Sequence, residues 1–446
     1  MTSIIWRNDP NPNPYEKART KRLFNALVPP RFPLAIASVS TEEQIRDTVQ
    51  IAISKNCRIS VRAGGHSYAA WSLRDDAILI EMGDYHECQI DRNGVVRVSP
   101  SLTGRELTEY LYERGRVFPV GHCPEVGVGG YLLGGGMGWN QTNLEWACEH
   151  VVALDVVTAS GESVKADAQQ NSDLFWAARG GGPAFPGVVT RFYLQTLPAP
   201  KIMRTSGYVY PVENYATILN WALTTAAGFK DSIEIVAIGS CQEGIDTPCL
   251  TIALIAFGDD ETHLQNLLDR VESSRPAGAI SAWTCRPTTL PEQFNLKARS
   301  YPPNHRYYVD NAFINNHADI TDTLEQAFTT LPTRKSLALW SSMIPLSRRR
   351  KQEAPDMALS IQSDHYFALY AIWEDEKEDL LCKSWLDAVM QEVGVRSVGS
   401  YLGELDFRSR LGKYWGEEEY QRLLEIRRKW DPEGRIPGCL GLDDTG

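Results

Sequence analysis

Two short glycine-rich stretches in the N-terminal half limit the folds that this chain can adopt. Residues 121–138 contain eight glycines, and residues 63–68 read Ala-Gly-Gly-His-Ser-Tyr. Glycine tolerates positive φ and lets backbone N–H groups come close to an anion. A pyrophosphate group is a common ligand of such turns. Two of them, about 55 residues apart, indicate one large ligand that is contacted twice.

The common nucleotide-binding motifs are missing from these stretches. In the Rossmann fingerprint Gly-x-Gly-x-x-Gly, the third glycine would fall on Leu132, Trp139 or Gln141. A Walker A loop needs Gly-Lys followed by Ser or Thr, and the chain has none. The sequence therefore disfavours a nicotinamide-dependent dehydrogenase of the Rossmann type.

The composition is that of an ordinary globular protein. Hydrophobic residues make up 43% of the 446 residues and charged residues 23%, which excludes a disordered or collagen-like chain. The 45 basic and 56 acidic residues give a net charge of −11, so we expect no nucleic acid and no membrane among the partners. The nine cysteines form no Cys-x-x-Cys pair, and we expect no metal site.

The N-terminus lacks an apolar run of secretory length, and no run of about 18 apolar residues occurs in the chain. These features predict a cytoplasmic protein, with a secreted mature form left open.

The pattern of helices and strands changes along the chain. Residues 33–62 read as strand, helix and strand, with Ser40 at a capping-box spacing from Glu43. Over residues 201–395, glycine becomes rarer and strands mix with amphipathic helices, which predicts a second domain. A last helix is predicted to begin at three glutamates (417–419) and to end at three basic residues (427–429).

Four segments resemble, in order, the motifs of one flavoprotein family. Residues 61–68 are similar to the first flavin-binding motif of the berberine bridge enzyme-like oxidases, in the vanillyl-alcohol oxidase superfamily. Residues 121–136 resemble the second motif and residues 173–189 the third. Residues 414–432 resemble the closing segment, whereas the middle of the chain shows no motif of the family.

The resemblance implies an α+β, two-domain flavin oxidase fold with FAD as its cofactor. The FAD-binding α+β domain is expected to be discontinuous, with residues 1–198 as its first part and residues 396–446 as its C-terminal return. Residues 199–395 are expected to form the substrate-binding domain, an antiparallel sheet covered by helices.

In this family, a histidine and a cysteine are joined covalently to the flavin ring. The match implies that His66 is linked to the 8α methyl group and that Cys123 forms a thioether to position 6. Two links would hold the ring and withdraw electron density, which makes it a stronger hydride acceptor. The other cofactor-binding residues that the motifs imply are Arg62, Ala63, Gly64, Gly65, Ser67, Tyr68, Val126, Gly127, Val128, Gly129, Gly130, Gly134, Gly135, Gly136, Gly187, Val188, Val189, Tyr414 and Trp415.

One of these positions bears on the electron acceptor. In the family, a valine three residues after the cysteine accompanies oxygen-reactive members, and a leucine accompanies dehydrogenases. Here the residue is Val126. The resemblance therefore implies an oxidase that makes hydrogen peroxide.

Hydride removal from a carbon that bears –OH or –NH needs a base for the departing proton. Plant relatives carry a catalytic tyrosine as the second Tyr of Tyr-Leu-Asn-Tyr-x-Asp, and residues 401–406 here read Tyr-Leu-Gly-Glu-Leu-Asp. Glu404 stands in place of that tyrosine and is the first candidate base, with a solvated Glu at a strand edge as the alternative. Tyr401 is a second candidate, although it is better suited to a structural role.

A strand predicted over residues 364–373 supplies two further catalytic candidates. His365 and Tyr366 lie on its opposite faces, and the period of two does not tell which face meets the substrate.

The preferred function is an FAD-dependent oxidase of a small secondary metabolite, acting by simple oxidation or by oxidative cyclisation. Two alternatives stay open: a flavin-containing scaffold that catalyses a non-redox cyclisation, and a carbohydrate oxidase. The expected partners are a small-molecule substrate and molecular oxygen, with the chain as a monomer or homodimer.

Overall fold

The computed structural model describes residues 2–229, 233–349, 355–406, 410 and 412–438. Within these residues the strands form sheets of four, five, two and eight strands. Helices and largely antiparallel strands are segregated into layers, which confirms the α+β fold class predicted from the motifs.

The first sheet contains a parallel β-α-β unit. Its elements are β1 (Ser3–Trp6), α1 (Pro12–Thr20), β2 (Ala35–Ser38), α2 (Glu42–Ser54), β3 (Arg58–Arg62) and β4 (Ala77–Glu81). Helix α2 connects β2 to β3, and β4 lies between these two strands and parallel to both. The buried face of α2 carries Ile45, Val49 and Ala52, so the helix covers the sheet with its apolar side.

The cap of α2 differs by one residue from the prediction. The hydroxyl of Thr41, rather than that of Ser40, accepts from the backbone N–H of Gln44 at 3.3 Å. Ser40 instead donates its own N–H to the Gln44 side chain at 2.7 Å. Ser40 and Thr41 therefore both contribute to the N-terminal cap of α2. The spacing of residues in the sequence alone could not show which of the two hydroxyls would accept the backbone N–H.

The second sheet is antiparallel and has the order β5-β6-β10-β8-β9. Its strands are β5 (Cys88–Ile90), β6 (Val95–Val98), β8 (Val151–Thr158), β9 (Ser163–Asp167) and β10 (Gly187–Gln195). A small pair joins β7 (Arg116–Val117) to β11 (Leu197–Pro198). The helices of this part are α3 (Gly104–Tyr112), α4 (Val128–Leu133), α5 (Gln141–Leu144) and α6 (Ser172–Ala177).

The third sheet is antiparallel and has the order β15-β12-β14-β13-β17-β18-β16-β19. Its strands are β12 (Ile202–Pro211), β13 (Ile233–Cys241), β14 (Pro248–Gly258), β15 (Ser281–Pro287), β16 (Arg306–Ile314), β17 (Leu337–Ser342), β18 (His365–Trp373) and β19 (Ser397–Gly399). Its helices are α7 (Tyr215–Ala227), α8 (Glu261–Ser274), α9 (Leu290–Ser300), α10 (Ile320–Thr329) and α11 (Asp379–Val395).

Four of these helices, α7, α8, α10 and α11, cover one face of the eight-stranded sheet in a continuous apolar core. Helix α9 lies on the other side, where Phe294 packs edge-on to Trp139 from the glycine-rich segment. The opposite face of the sheet is therefore turned toward the flavin motifs, and α9 stands beside them.

The last helix, α12 (Glu417–Trp430), returns to the N-terminal part. Lys429 and Trp430 donate to Asp173 of α6 at 2.6 and 2.9 Å. Shortly before the helix, Trp415 donates its Nε1–H to the Gly180 carbonyl at 2.8 Å. These contacts join the third and closing motifs, while the proposed domain boundaries stay a prediction.

Among the described residues, no helix combines the length and the apolar character needed to cross a membrane.

Candidate active site

A cavity of about 370 Å³ is lined by residues of all three larger sheets. The N-terminal part contributes most of the residues between 59 and 74, part of the glycine-rich segment and the start of β10. The third sheet contributes side chains of β13, β17 and β18, and residues 401–405 close one wall. The motifs that the sequence separates by hundreds of residues therefore meet around one space.

The first glycine turn is built to hold an anion. Gly65 has a φ of +75°, and a Cβ there would lie 2.0 Å from the Arg22 carbonyl oxygen, so only glycine fits. The N–H groups of residues 64–68 donate to no acceptor among the residues that the structure describes. Successive N–H groups left free in this way form a cradle for a phosphate oxygen.

The two glycine turns are in direct contact. A Cβ on Gly64 would lie 2.6 Å from the Gly127 nitrogen, and one on Gly127 would lie 2.8 Å from the Gly64 Cα. A Cβ on Gly130 would meet nothing within 4 Å, and this residue lines the cavity. The glycines thus serve two purposes. Gly64 and Gly127 allow the two turns to pack closely on each other, and Gly130 leaves free room on the cavity side of α4.

His66 is half-buried between the rings of Phe24 and Tyr68. Its imidazole stacks on Phe24, with ring centroids 4.0 Å apart and planes 19° from parallel. Burial lowers the pKa of His66 to about 4, because the apolar surroundings disfavour the charged ring. The imidazole is therefore neutral at physiological pH and keeps a nitrogen lone pair, which a nucleophile needs.

Cys123 lines the same cavity. Burial and, to a smaller extent, the negative charge of Glu404 raise the pKa of its thiol to about 12, against the opposing effect of the positive charge of Lys297. The free thiol is thus protonated at neutral pH, and a group beside it is needed to make it reactive.

Glu404 and Tyr366 form a hydrogen-bonded pair on the cavity wall. The Tyr366 hydroxyl donates a short hydrogen bond to the Glu404 carboxylate. Burial and the negative charge of Glu404 raise the pKa of Tyr366 well above its ordinary value. Tyr366 therefore keeps its proton and orients the Glu404 carboxylate, while the role of Glu404 as a base stays a prediction.

Tyr401 holds the glycine segment in place. Its hydroxyl oxygen accepts from the backbone N–H groups of Gly136 and Met137, each at 3.2 Å. The tyrosine also lines the cavity. Because its oxygen already accepts from two backbone donors, this geometry favours the structural role predicted for Tyr401 over a catalytic one.

His365 lies outside the cavity. Its Nδ1 accepts from the Trp340 indole N–H at 3.3 Å, on the face of β18 that also carries Phe367 and Leu369 under the helices. The even-numbered face, with Tyr366 and Tyr370, meets the cavity instead. The expectation of a catalytic role for His365 is corrected accordingly.

Most of the predicted cofactor-binding residues line the cavity. They are Arg62, Ala63, Gly64, Gly65, His66, Ser67, Tyr68, Cys123, Val126, Gly127, Gly129, Gly130, Gly134, Gly187, Val188 and Val189. Arg62 nevertheless directs its guanidinium into the fold, where it bonds to Glu81 and to the carbonyls of Ala18 and Arg19. Its charge is thereby compensated by the protein itself.

The remaining predicted residues lie behind the cavity wall and support it. Gly135 and Gly136 accept at their carbonyls from the backbone N–H groups of Cys148 and Ala147, and Val128, the first residue of α4, is buried in the core. Tyr414 and Trp415 are buried in the same core. Direct contact of these five with a cofactor stays a prediction.

Several cavity residues were not predicted from the sequence. Tyr370 could have been found, because it is four residues beyond Tyr366 on the same strand face. Lys297 and Tyr301 come from α9 and the loop after it. A lysine in the last turn of a helix is ordinary, so nothing in the sequence distinguished Lys297.

The residues present fit FAD. The cradle of free N–H groups at 64–68 suits a pyrophosphate, and the Ser60 hydroxyl is buried at the cavity without a hydrogen-bond partner among the described residues. His66 and Cys123 are placed on the same cavity. When bound, FAD supplies the hydride acceptor for an oxidation.

Solved structures show the same fold. The BBE-like 1 protein of Physcomitrella patens superposes with a TM-score of 0.84 at 19% identity, covering 100% of this chain and 97% of its own. The glucooligosaccharide oxidase of Acremonium strictum, whose structure revealed a novel flavinylation, gives a TM-score of 0.83 at 19% identity and the same coverage. These similarities confirm the fold that the resemblance implied.

Sequence comparison gives the family. The FAD binding domain family matches residues 33–167. The FAD-linked oxidoreductase nodO of Hypoxylon pulicicidum is 38% identical over 441 residues, which cover 99% of this chain and 98% of the relative. The chain therefore belongs to the FAD-linked oxidoreductases: it is an FAD-binding oxidoreductase.

Proposed function

We propose that this enzyme is an oxidase with FAD linked through His66 and Cys123, in which Glu404 accepts the proton that leaves the substrate. One observation carries the proposal: Glu404, oriented by the Tyr366 hydroxyl, lines the same cavity as His66 and Cys123. A base and two attachment points on one space are what a covalent flavin oxidase requires.

The covalent links are supported by the protonation state of His66 and by the position of Cys123. His66 is neutral because burial lowers its pKa to about 4, and a neutral imidazole is the nucleophilic form. Cys123 lies on the same cavity, and the structurally similar glucooligosaccharide oxidase undergoes flavinylation.

The acceptor is proposed to be molecular oxygen. Val126 lines the cavity next to Gly127, where the two glycine turns touch. A valine leaves more room there than a leucine, and oxygen access depends on such space. The variant Val126→Leu is expected to slow reoxidation of the reduced enzyme in air without changing its anaerobic reduction.

The substrate is proposed to be largely apolar and ring-containing, such as a secondary metabolite. The cavity wall that includes Glu404 also carries Tyr301, Tyr370, Leu339 and Val236. Aromatic and aliphatic walls with few polar groups fit a polycyclic molecule better than a sugar, whose hydroxyls would each need a partner. A carbohydrate substrate is the second candidate, favoured by the structural similarity to the glucooligosaccharide oxidase.

Anaerobic mixing tests the redox function. The enzyme is mixed without oxygen with a panel of aromatic alcohols, amines and oligosaccharides, and the flavin absorbance is followed. A substrate of an oxidase bleaches the flavin, and admission of air restores the colour with formation of hydrogen peroxide. Binding and cyclisation of a panel member without bleaching would instead support a flavin-containing scaffold.

Mass mapping tests the covalent links separately. Peptides that contain His66 and Cys123 are each expected to carry the flavin mass after denaturation in acid. The variant Cys123→Ala is expected to keep the flavin through His66 and to have a lower reduction potential. Release of free flavin from the denatured wild type would refute the links. The cytoplasmic location and the monomeric or homodimeric state stay predictions.

A further inference from the structure

Lys297 is a cavity residue that the proposed oxidation does not use. It lies in the last turn of α9 and is half-buried, between the exposed residues Leu296 and Ala298. Among the described residues, its ammonium group forms no hydrogen bond and no ion pair. Lysines in the last turn of a helix usually extend into solvent. A lysine that instead lines a cavity without an ion-pair partner among the described residues is a candidate functional residue.

The positive charge of Lys297 favours the thiolate form of Cys123. The two residues line the same cavity, and the charge of Lys297 lowers the pKa of the Cys123 thiol, against burial and Glu404. Burial in turn lowers the pKa of Lys297, so its amine loses a proton more readily than an exposed lysine does.

The other bases on the cavity wall are engaged elsewhere. His66 is itself the other proposed attachment point of the flavin, and Glu404 accepts from Tyr366. His122 packs against the Trp139 ring, and its Nε2 lies 3.9 Å from the Glu234 carboxylate. This leaves the unpartnered lysine as the proton acceptor available to the thiol.

We propose that Lys297 prepares Cys123 for its attachment to the flavin: the neutral amine takes the thiol proton, and the resulting ammonium stabilises the thiolate. The proposal rests on the thioether proposed above for Cys123. It adds a residue that catalyses modification of the enzyme itself rather than turnover of the substrate.

The step balances with oxygen as the oxidant. The S–H bond breaks and its proton goes to Lys297, the bond from sulfur to ring carbon 6 forms, and the hydrogen on that carbon leaves as a proton. Two electrons pass to the ring and then to dioxygen, which takes up two protons and becomes hydrogen peroxide. In sum, a thiol, the flavin and dioxygen give the thioether and hydrogen peroxide.

The test measures the links by peptide mass mapping, and not by activity. Wild type, Lys297→Met, Lys297→Arg and the control Arg299→Met are produced identically and sampled during incubation with FAD in air. Arg299 is exposed in the same helical turn, so the control removes a similar charge from the helix end without changing the cavity.

In Lys297→Met, attachment at Cys123 is expected to be about tenfold slower or more, because an opposite charge nearby shifts a pKa by one unit or more. Attachment at His66 is expected to stay complete, and Arg299→Met is expected to match the wild type at both positions. Lys297→Arg restores the charge but not the neutral amine, so it is expected to recover the rate only in part.

Three outcomes would overturn the proposal. Equal rates at Cys123 in wild type and Lys297→Met would show that the lysine has no part in attachment. Loss of both links in Lys297→Met and Lys297→Arg would assign Lys297 to cofactor binding. A wild type linked only at His66 would refute the proposed thioether and, with it, any role of Lys297 in forming it.

Discussion

The side chain of Asn311 fixes the backbone of Glu404 at the cavity wall. Its Nδ2 donates to the Glu404 carbonyl at 2.8 Å and to the Tyr401 carbonyl at 2.9 Å. Its Oδ1 accepts from the Tyr401 N–H at 2.7 Å. Asn311 is fully buried in β16, so one amide on the rigid sheet determines where the candidate base stands.

Replacing Asn311 by alanine is expected to damage both stability and chemistry. Three backbone groups of the 401–404 segment would lose their partner, at a total cost of about 3 kcal/mol in the free energy of unfolding. Flavin reduction is expected to slow as well, because Glu404 would no longer be held in place. Denaturant unfolding and anaerobic stopped-flow reduction measure the two effects. The exposed Asn315 offers a control, and an Asn311→Ala variant as stable as Asn315→Ala would contradict the assignment.

Removing the charge of Glu404 is expected to slow flavin reduction by about 100-fold or more, which is the usual contribution of a general base. Glu404→Gln keeps the shape and the bond to Tyr366 but cannot accept the proton. The reductive half-reaction of the holoenzyme is measured without oxygen, with a substrate found by the bleaching panel.

The variant Tyr366→Phe separates the roles of the two residues. If Tyr366 only orients Glu404, its loss is expected to cost about tenfold, less than the loss of the base. A larger effect of Tyr366→Phe than of Glu404→Gln would transfer the role of base to the tyrosine.

The sequence predicted the parts of the site that depend on local backbone demands. Gly65 is an example: its positive φ and its contact with Arg22 exclude other residues, so the glycine pattern records the geometry directly. Helix α12 is a second example of a local signal. Its acidic start and basic end complement the helix dipole, so the charge pattern predicted the bounds of the helix.

Side chains that reach the site through tertiary packing could not be predicted in this way. A period of two placed His365 and Tyr366 on opposite faces of β18 but did not say which face the helices would cover. Lys297 reaches the cavity only because α9 packs beside the glycine segment through Phe294 and Trp139. No local pattern encodes the position of a helix relative to a distant sheet.

The contact between the glycine turns predicts a large difference between two alanine variants. In Gly64→Ala, the new Cβ would lie 2.6 Å from the Gly127 nitrogen, so the turns must separate at a cost of about 1–3 kcal/mol. Flavin attachment at both His66 and Cys123 is expected to fall with it.

Gly130→Ala is the matched control for Gly64→Ala. A Cβ at Gly130 meets nothing within 4 Å, so the free energy of unfolding of the flavin-free chain is expected to change by less than about 0.5 kcal/mol. Thermal denaturation and flavin content of the purified variants measure both quantities. Equal stability of the two variants would contradict the tight contact between the turns.

His365 is expected to make the stability of the fold depend on pH. The Trp340 N–H donates to its Nδ1, which requires that this nitrogen carry no proton, and burial lowers the pKa of His365 below its ordinary value of 6.5. Between the lowered pKa and about 6.5, the unfolded chain binds more protons than the folded one, so stability rises with pH. The contribution is complete above about pH 6.5 and is lost as the pH falls through the folded pKa.

In His365→Leu, the loss of unfolding free energy on acidification from about pH 7.5 to 5 should be smaller than in wild type. His263→Leu, at an exposed histidine of α8, should keep the wild-type dependence, and an unchanged dependence in His365→Leu would show that His365 is not the titrating group.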